Sequence, residues 1–386
     1  MASSASEITI LQMESPGNGS TGYEENSGAS SPGDGDGIFS AVETMLVKFH
    51  AGYFRIGMSV GCQTLLWKIL AVENDDLLHP MVLIVLWSMG FFLLFCLSVF
   101  YLLRCFFHFR LVQCEFLHHV GVNYLFAPWI SWFLLLQSAP FLPPRATLYK
   151  VLWWIFAIPV VVLDVKIYGQ WFTKGRRFLC SVANPTSQLS VIGNLVGAQA
   201  AGRMGWKESA LCLFSLGIVH YLVLFVTLYQ RFSGVDRLPS MLRPVFFLYI
   251  AAPSFASLAW ESISGAFDAP SKMLFFLSLF LFTALVCRPL LFKRSMKRFT
   301  IAWWAFSFPI SALAIASIQY HHQVQALPAK ILMLLLLTIS VFVVVSLVAA
   351  TVLNSGLLLP DDDPLFNPST QRNSTLDGSH RQEPLT

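Results

Sequence analysis

The sequence predicts an all-α membrane protein with ten transmembrane helices arranged as five helical hairpins. Ten apolar stretches, each long enough to cross a bilayer, fill nearly all of the chain between residues 50 and 356. The mean hydropathy is +0.63 and only 12% of the residues are charged, whereas about a quarter are charged in soluble domains. Every second stretch is interrupted by Pro or Gly. We therefore expect the five odd-numbered helices to form an inner ring around a common axis and to line a pore.

Each stretch approaches the ~20 predominantly apolar residues that a transmembrane helix needs. We place the ten spans at residues 51–71, 80–103, 117–138, 147–165, 187–203, 208–230, 244–262, 272–289, 299–319 and 330–356. Residues 81–103 contain no Asp, Glu, Lys or Arg, whereas residues 56–67 lie between two cations, Arg55 and Lys68. We expect these two long side chains to extend to the headgroups.

The chain divides into one membrane domain, residues 46–356, and two tails, residues 1–45 and 357–386. Both tails are rich in Ser, Gly, Thr and acidic residues with few apolar groups, which predicts disorder. The first residues contain no basic segment followed by an apolar run, so we expect no cleaved signal peptide.

Charges in the loops predict that both tails are cytoplasmic. With the N-terminus inside, the inner loops and adjacent span ends carry fourteen Lys and Arg residues, and the outer ones carry six. Positive charge concentrates on the cytoplasmic side of membrane proteins. An even number of spans is then required, and ten satisfies it.

Small residues in two odd spans predict close helix contacts. Gly57 and Gly61 lie four residues apart in the first span, as do Gly193 and Gly197 in the fifth. Such small-xxx-small patterns let membrane helices approach closely.

Prolines in three other odd spans predict kinks. Pro128 lies in the third span, Pro253 in the seventh and Pro309 in the ninth. Each proline removes a backbone N–H and clashes with the carbonyl four residues earlier. Lipid cannot satisfy that freed carbonyl, so protein or water must surround it.

Two interpretations of the inner helices remain open. One is a solidly packed bundle, since Gly and Pro are common in membrane helices. The other is a central conduit, which their uncharged polar residues favour: Ser59, Thr64, Ser131, Gln137, Ser187, Ser190, Asn194, Ser254, Ser257, Ser307 and Ser311. Deep acidic groups, common in proton-coupled carriers, are nearly absent, because Asp164 and Glu261 fall near predicted span ends and are expected to be solvated or paired.

Phe308 is a candidate gate because it stands directly before Pro309. At such a kink an aromatic ring can protrude into a conduit and close it as an apolar plug, since dewetted constrictions gate channels.

Several blocks of sequence resemble the plant slow-type (S-type) anion channels, which are relatives of a bacterial tellurite-resistance protein and a fungal malate permease. The resemblance covers residues 45–355 and is most specific in five blocks: 166–171 (KIYGQW), 182–190 (VANPTSQLS), 220–231 (HYLVLFVTLYQR), 251–260 (AAPSFASLAW) and 303–309 (WWAFSFP).

The resemblance implies a homotrimer in the plasma membrane, with one pore in each protomer. It implies passive movement of chloride and nitrate, with malate as a further candidate. It also implies an occluding phenylalanine at Phe308 and pore-lining positions at Tyr124, Leu134, Phe225 and Leu258. The guard-cell member of the family has Phe where Tyr124 and Leu134 stand, and the smaller Leu134 bears on the strength of the closed gate.

The tails are much shorter than in members opened by phosphorylation of a long N-terminal region. Control by a protein kinase through Ser3, Ser4 or residues 361–386 is therefore a conjecture. The short tails resemble a branch whose members act as modulatory subunits beside a longer paralogue.

The leading hypothesis is an anion channel without an enzymatic step, embedded in the lipid bilayer and with no nucleic-acid partner. The alternatives are a proton-coupled dicarboxylate carrier of the same fold and an electrically silent subunit that forms a heteromer with a related channel. We expect no catalytic residue, cofactor or metal. The seven Cys are dispersed, and His118–His119 and His321–His322 have no predicted carboxylate or Cys partners.

Overall fold

A computed structural model describes residues 42–73, 79–173, 183–232, 240–293, 296 and 299–354. The C-terminal tail and nearly all of the N-terminal tail lie outside these residues. So do Lys174, Arg176, Arg177, Arg237, Arg294, Lys297 and Arg298, which contribute to the predicted loop charge.

All regular secondary structure in the described residues is helical. From residue 51 onward, the described α-helices are α1 Phe54–Glu73, α2 Pro80–Phe107, α3 Phe109–Leu117, α4 Gly121–Tyr124, α5 Phe126–Ser138, α6 Thr147–Thr173, α7 Gln188–Arg203, α8 Lys207–Phe232, α9 Leu248–Ser264, α10 Ala269–Val286, α11 Trp304–Val324 and α12 Leu327–Leu353. Short 3-10 segments lead into α1, α7, α9 and α11: Ala51–Tyr53, Pro185–Ser187, Ser240–Phe247 and Ile301–Trp303. The predicted all-helical class is confirmed.

Among the described residues, seven helices are long and apolar enough to cross a membrane, or eight if the pair Phe109–Leu117 and Gly121–Ser138, bent by 106°, forms one broken span. Helix α7 is not among them because it has only 16 residues. Helix α1 is also not among them, and it contains Arg55 and Lys68. The protein is therefore a multi-pass membrane protein.

Burial separates the long helices into two classes. Over the most apolar 18 residues of each span, 89% are buried in Ile301–Val324, which contains α11, and 78% in Arg243–Ser264, which contains α9. The buried share is only 11% in α2 and 17% in α10. The buried helices contain Pro253 and Pro309, and the exposed ones are rich in Leu, Phe and Val. For these helices, the interrupted sequences are inside and the uniform ones outside, as predicted.

Five helices form a closed ring. Helix α1 packs against α5, α5 against α7, α7 against α9, α9 against α11, and α11 against α1. The Ser59 hydroxyl donates to the Trp304 carbonyl at 3.2 Å and joins α1 to α11. The Gln137 amide donates to the Val196 carbonyl at 3.3 Å and joins α5 to α7.

The ring helices run parallel, because their contacts advance in the same direction along both partners. A methyl group added at Gly57 would lie 3.1 Å from Ser131 Oγ, and one added at Gly61 would lie 3.1 Å from Leu134 Cβ. The same order holds between α1 and α11, where Ser59 meets Trp304 and Gln63 meets Ser311. Helix α7 follows the same direction, because its Gly193 and Gly197 face Phe126 and Phe133 of α5, and its Gly202 meets Ser262 near the C-terminal end of α9. All five N-termini therefore lie at one end, which we call the N-terminal end of the ring.

The remaining long helices pack on the outside of this ring. Helix α2 contacts α1 and α5, α6 contacts α5 and α7, and α8 contacts α7 and α9. Helix α10 packs mainly on α9, and α12 packs on α11. Each of these outer helices thus covers one or two ring helices.

The glycine contacts explain how closely the helices approach. Besides Gly57 and Gly61, a methyl group added at Gly193 would lie 3.3 Å from Phe126 Cδ1, and one at Gly197 would lie 3.1 Å from Leu213 Cδ1. These distances are tighter than ordinary Cβ contacts, so the predicted close packing at both glycine pairs is confirmed.

Candidate functional site

A small cavity lies on the axis of the ring, because each ring helix or the turn that leads into it contributes to the wall. The lining residues are Arg55, Met58, Tyr124, Leu189, Val245, Leu248, Trp304, Ala305 and Phe308. Leu248 and Trp304 are the first residues of α9 and α11, so the cavity lies at the N-terminal end of the ring. Its volume is about 10 Å³, enough for a single water molecule.

Phe308 closes one side of this cavity. Its side chain is only 2% exposed and stacks on Phe255 of α9 with a centroid distance of 5.6 Å and an interplanar angle of 19°. Phe255 follows the cavity residue Leu248 by seven positions, which is two turns along the same helix face. The stacked pair therefore lies on the C-terminal side of the cavity. Sequence alone did not distinguish Phe255 among 34 phenylalanines.

Of the four predicted pore-lining residues, Tyr124 reaches the cavity. Leu134 is buried against Gly61, and Leu258 is buried three residues beyond Phe255. Phe225 belongs to the outer helix α8, where its ring lies 6.2 Å from that of Tyr249. A pore-lining role for Leu134, Leu258 and Phe225 stays a prediction.

The three prolines occupy related positions near the N-terminal end of the ring. Pro253 and Pro309 are the sixth residues of α9 and α11. Pro128 is the third residue of α5, and the helix is interrupted at Leu125 just before it, where the loss of a proline N–H disrupts the helix. The size of the predicted kinks at these positions stays a prediction.

Many predicted lumen hydroxyls instead join helices. Ser254 Oγ lies 2.6 Å from Ser278 Oγ, and the Thr64 hydroxyl donates to Ser138 Oγ at 3.0 Å. Ser257 donates to a carbonyl of α10 at 2.7 Å. For these residues the interpretation as lumen-lining groups was wrong, because a hydroxyl buried in an apolar bundle is stabilised by the nearest acceptor.

Two buried amides on α7 are further candidates that the sequence analysis missed. Gln188 and Gln199 are fully buried, and neither side-chain amide has a hydrogen-bond partner among the described residues. They are eleven residues apart, which is three turns, so they share one helix face. Buried amides without protein partners are expected to contact water. Glutamine within an apolar span was the available signal.

Arg55 does not extend to the membrane surface as predicted. It is the second residue of α1 and only 6% exposed. Its Nε donates to the Gly52 carbonyl at 2.8 Å, and its guanidinium carbon lies 4.9 Å from the centre of the Tyr124 ring. The prediction was wrong because the Tyr124 face offers the cation a partner inside the bundle.

Lys68 differs from Arg55, although both carry a cation in α1. Its Nζ donates to the carbonyls of Gln137 and Ala139 at 3.0 and 2.8 Å. It therefore stabilises the C-terminal end of α5, as cations commonly do at that end of a helix.

The electrostatics of the cavity favour anions. The N-terminus of a helix carries a partial positive charge, and five parallel helices place their N-termini at the cavity end of the ring. Arg55 adds a full positive charge to the wall itself.

Comparison with known proteins decides the family. Residues 48–352 match the family model described as SLAC1, voltage-dependent anion channel. The chain belongs to the SLAC1 family of anion channels. This family groups channels rather than enzymes, and the predicted resemblance to S-type anion channels is confirmed.

Three Arabidopsis thaliana members of the SLAC1 family illustrate the similarity. The chain is 52% identical to S-type anion channel SLAH1 over 83% of its own length and 85% of the relative. It is 54% identical to S-type anion channel SLAH4, over 84% and 88%. Identity to guard cell S-type anion channel SLAC1 is 42%, over 82% of this chain and 58% of that one. The match thus extends over a larger share of SLAH1 and SLAH4.

Proposed function

We propose that each protomer passes chloride and nitrate passively along the axis of its five-helix ring. The observation that carries this proposal is the axial cavity, whose wall draws on α1, α7, α9 and α11 and on Tyr124, which lies just before α5. The helix N-termini and Arg55 attract anions at that end. Toward the C-terminal end of the ring, uncharged polar groups such as the Gln199 amide are proposed to bind the anion only weakly, so that it can leave the pore.

The proposed gate is Phe308. Its ring and that of Phe255 block the axis on the C-terminal side of the cavity. Because both rings are apolar, water and ions are excluded until the pair separates.

The membrane arrangement is part of the same proposal. Ten spans in five hairpins place both termini in the cytoplasm, with α1 and α7 crossing as inner helices that protein, rather than lipid, surrounds. The cavity then faces the cytoplasm. The resemblance to S-type channels further supports a homotrimer in the plasma membrane, malate as a further permeant, a protein kinase as regulator, and a heteromer with a related channel.

The rival function is a proton-coupled dicarboxylate carrier, and Asp164 is the observation that favours it. Helix α6 continues to Thr173, so Asp164 lies within the helix rather than near its end. Its carboxylate is 3% exposed and accepts a hydrogen bond from Asn194 Nδ2 at 2.7 Å. A buried carboxyl group of this kind is what proton coupling requires.

Purified protein in planar bilayers under a potassium chloride gradient distinguishes these functions. We expect the reversal potential to lie near the chloride equilibrium potential. When nitrate replaces chloride in the bath, we expect the protein still to carry an anion current. We also expect neither the reversal potential nor the anion current to change when a pH gradient is imposed or when Asp164 is replaced by Asn. A reversal potential near that of potassium contradicts the proposal, and malate transport that needs both Asp164 and a pH gradient supports the carrier.

A further inference from the structure

Arg55 is a buried cation that forms no ion pair with any described carboxylate. Its side chain is 6% exposed, and no described Asp or Glu forms an ion pair with it. Its Nη1 has no hydrogen-bond partner in the described part of the chain. Burying a guanidinium without an ion pair costs desolvation free energy unless a negatively charged group binds to it.

The surroundings of Arg55 hold its guanidinium in place beside the axial cavity. The guanidinium lies over the Tyr124 ring at 4.9 Å, and its Nε is held by the Gly52 carbonyl. These two contacts fix the plane of the group while leaving N–H donors along its edge. Arg55 and the gate residue Phe308 line the same cavity.

We propose that Arg55 and this cavity form a binding site for one small monovalent anion, a halide or nitrate, on the N-terminal side of the Phe308 gate. The inference rests on the proposed function, because it specifies where the permeant anion pauses before the constriction. Charge-assisted hydrogen bonds from the guanidinium hold the anion. The apolar walls at Met58 and Leu189 strengthen that attraction by excluding water.

The size of the cavity limits what it accepts. A volume of about 10 Å³ suits one water molecule, and a halide or nitrate ion is somewhat larger. An entering anion therefore displaces part of the wall, and Phe308 is the wall residue that also closes the axis. A dicarboxylate would have to displace far more of the wall, so the site favours monovalent anions.

Thermal unfolding of purified protein in nanodiscs tests the site without requiring conduction. Sodium chloride or sodium nitrate is titrated against sodium gluconate at constant ionic strength. A bound anion raises the midpoint of unfolding. We expect wild type to be stabilised, and Arg55→Gln to need at least about tenfold more anion for the same shift.

Lys68→Gln is the matched control, because it removes the same charge from the same helix away from the cavity. It is expected to keep the wild-type anion dependence. Ala305→Val narrows the cavity from α11 without altering Arg55, and it should also weaken the anion effect. This second variant serves if Arg55→Gln does not fold.

The outcomes separate this inference from the proposed function. If anions stabilise both Arg55→Gln and Ala305→Val as much as they stabilise wild type, the proposed binding site is wrong, even if the bilayer recordings show anion selectivity. The absence of any chloride or nitrate effect on wild type overturns it as well. Arg55-dependent stabilisation in protein that carries no current supports the site and refutes conduction.

Discussion

Replacing Phe308 with Ala is expected to raise the chloride current of purified protein in planar bilayers by about tenfold or more. The substitution removes a buried ring that stacks on Phe255 and lines the axial cavity. Each tenfold increase corresponds to about 1.4 kcal/mol of lost barrier, and contacts of a buried Phe ring are commonly worth more than this. Because the protein is purified, a current also excludes an electrically silent subunit.

Phe306→Ala is the matched control for the gate. It makes the same change two residues earlier in α11, but the Phe306 ring packs against Phe247 and Phe292, away from the axial cavity. Its current should equal that of wild type. Equal currents from Phe308→Ala and Phe306→Ala, with equal protein incorporation, would remove Phe308 as the gate.

Replacing Glu115 with Ala is expected to destabilise the fold by about 3 kcal/mol or more. Glu115 is completely buried and Arg104 is 3% exposed, and Arg104 Nη2 lies 4.0 Å from Glu115 Oε2. Glu115 Oε1 also accepts a hydrogen bond from the Ala51 amide at 2.8 Å. Its loss leaves the Arg104 charge buried without this partner and releases the turn that begins α1. Thermal unfolding in detergent measures the effect.

Two comparisons isolate the ion pair. Glu208→Ala removes an exposed carboxylate in the first turn of α8 and is expected to change stability by less than about 0.5 kcal/mol. The double variant Arg104→Met with Glu115→Leu should recover part of the loss, because no charge stays buried. A Glu115→Ala protein as stable as Glu208→Ala contradicts this role.

The division into inner and outer helices could be predicted because lipid and protein make different demands on a helix. The uniform Leu- and Phe-rich sequence of α2 indicates exposure to lipid, and Pro309 in α11 indicates protein on all sides. The order of helices around the ring could not be predicted in this way. It depends on contacts such as Ser59 with Trp304, which are 245 residues apart in the chain.

The candidate site was only partly accessible from sequence. Phe308 stood out because a proline follows it, and Tyr124 was indicated only by the family resemblance. Arg55 was misassigned because a cation beside an apolar run normally extends to the membrane surface. Its burial depends on the face of Tyr124, about seventy positions away. Thr64, Ser254 and Ser257 were misassigned because polarity alone does not reveal whether a residue faces water or a neighbouring helix.

The central claim is that ions pass through the axial cavity of each ring, and a cysteine at Ala305 tests it most directly. In Phe308→Ala protein with Ala305→Cys, a negatively charged methanethiosulfonate reagent is expected to block most of the chloride current, because the new thiol lines the cavity. Phe308→Ala protein alone is the control, since the reagent meets only native cysteines such as the exposed Cys212 and Cys287. Labelling of Cys at position 305, confirmed by mass spectrometry, together with an unchanged current would contradict the account.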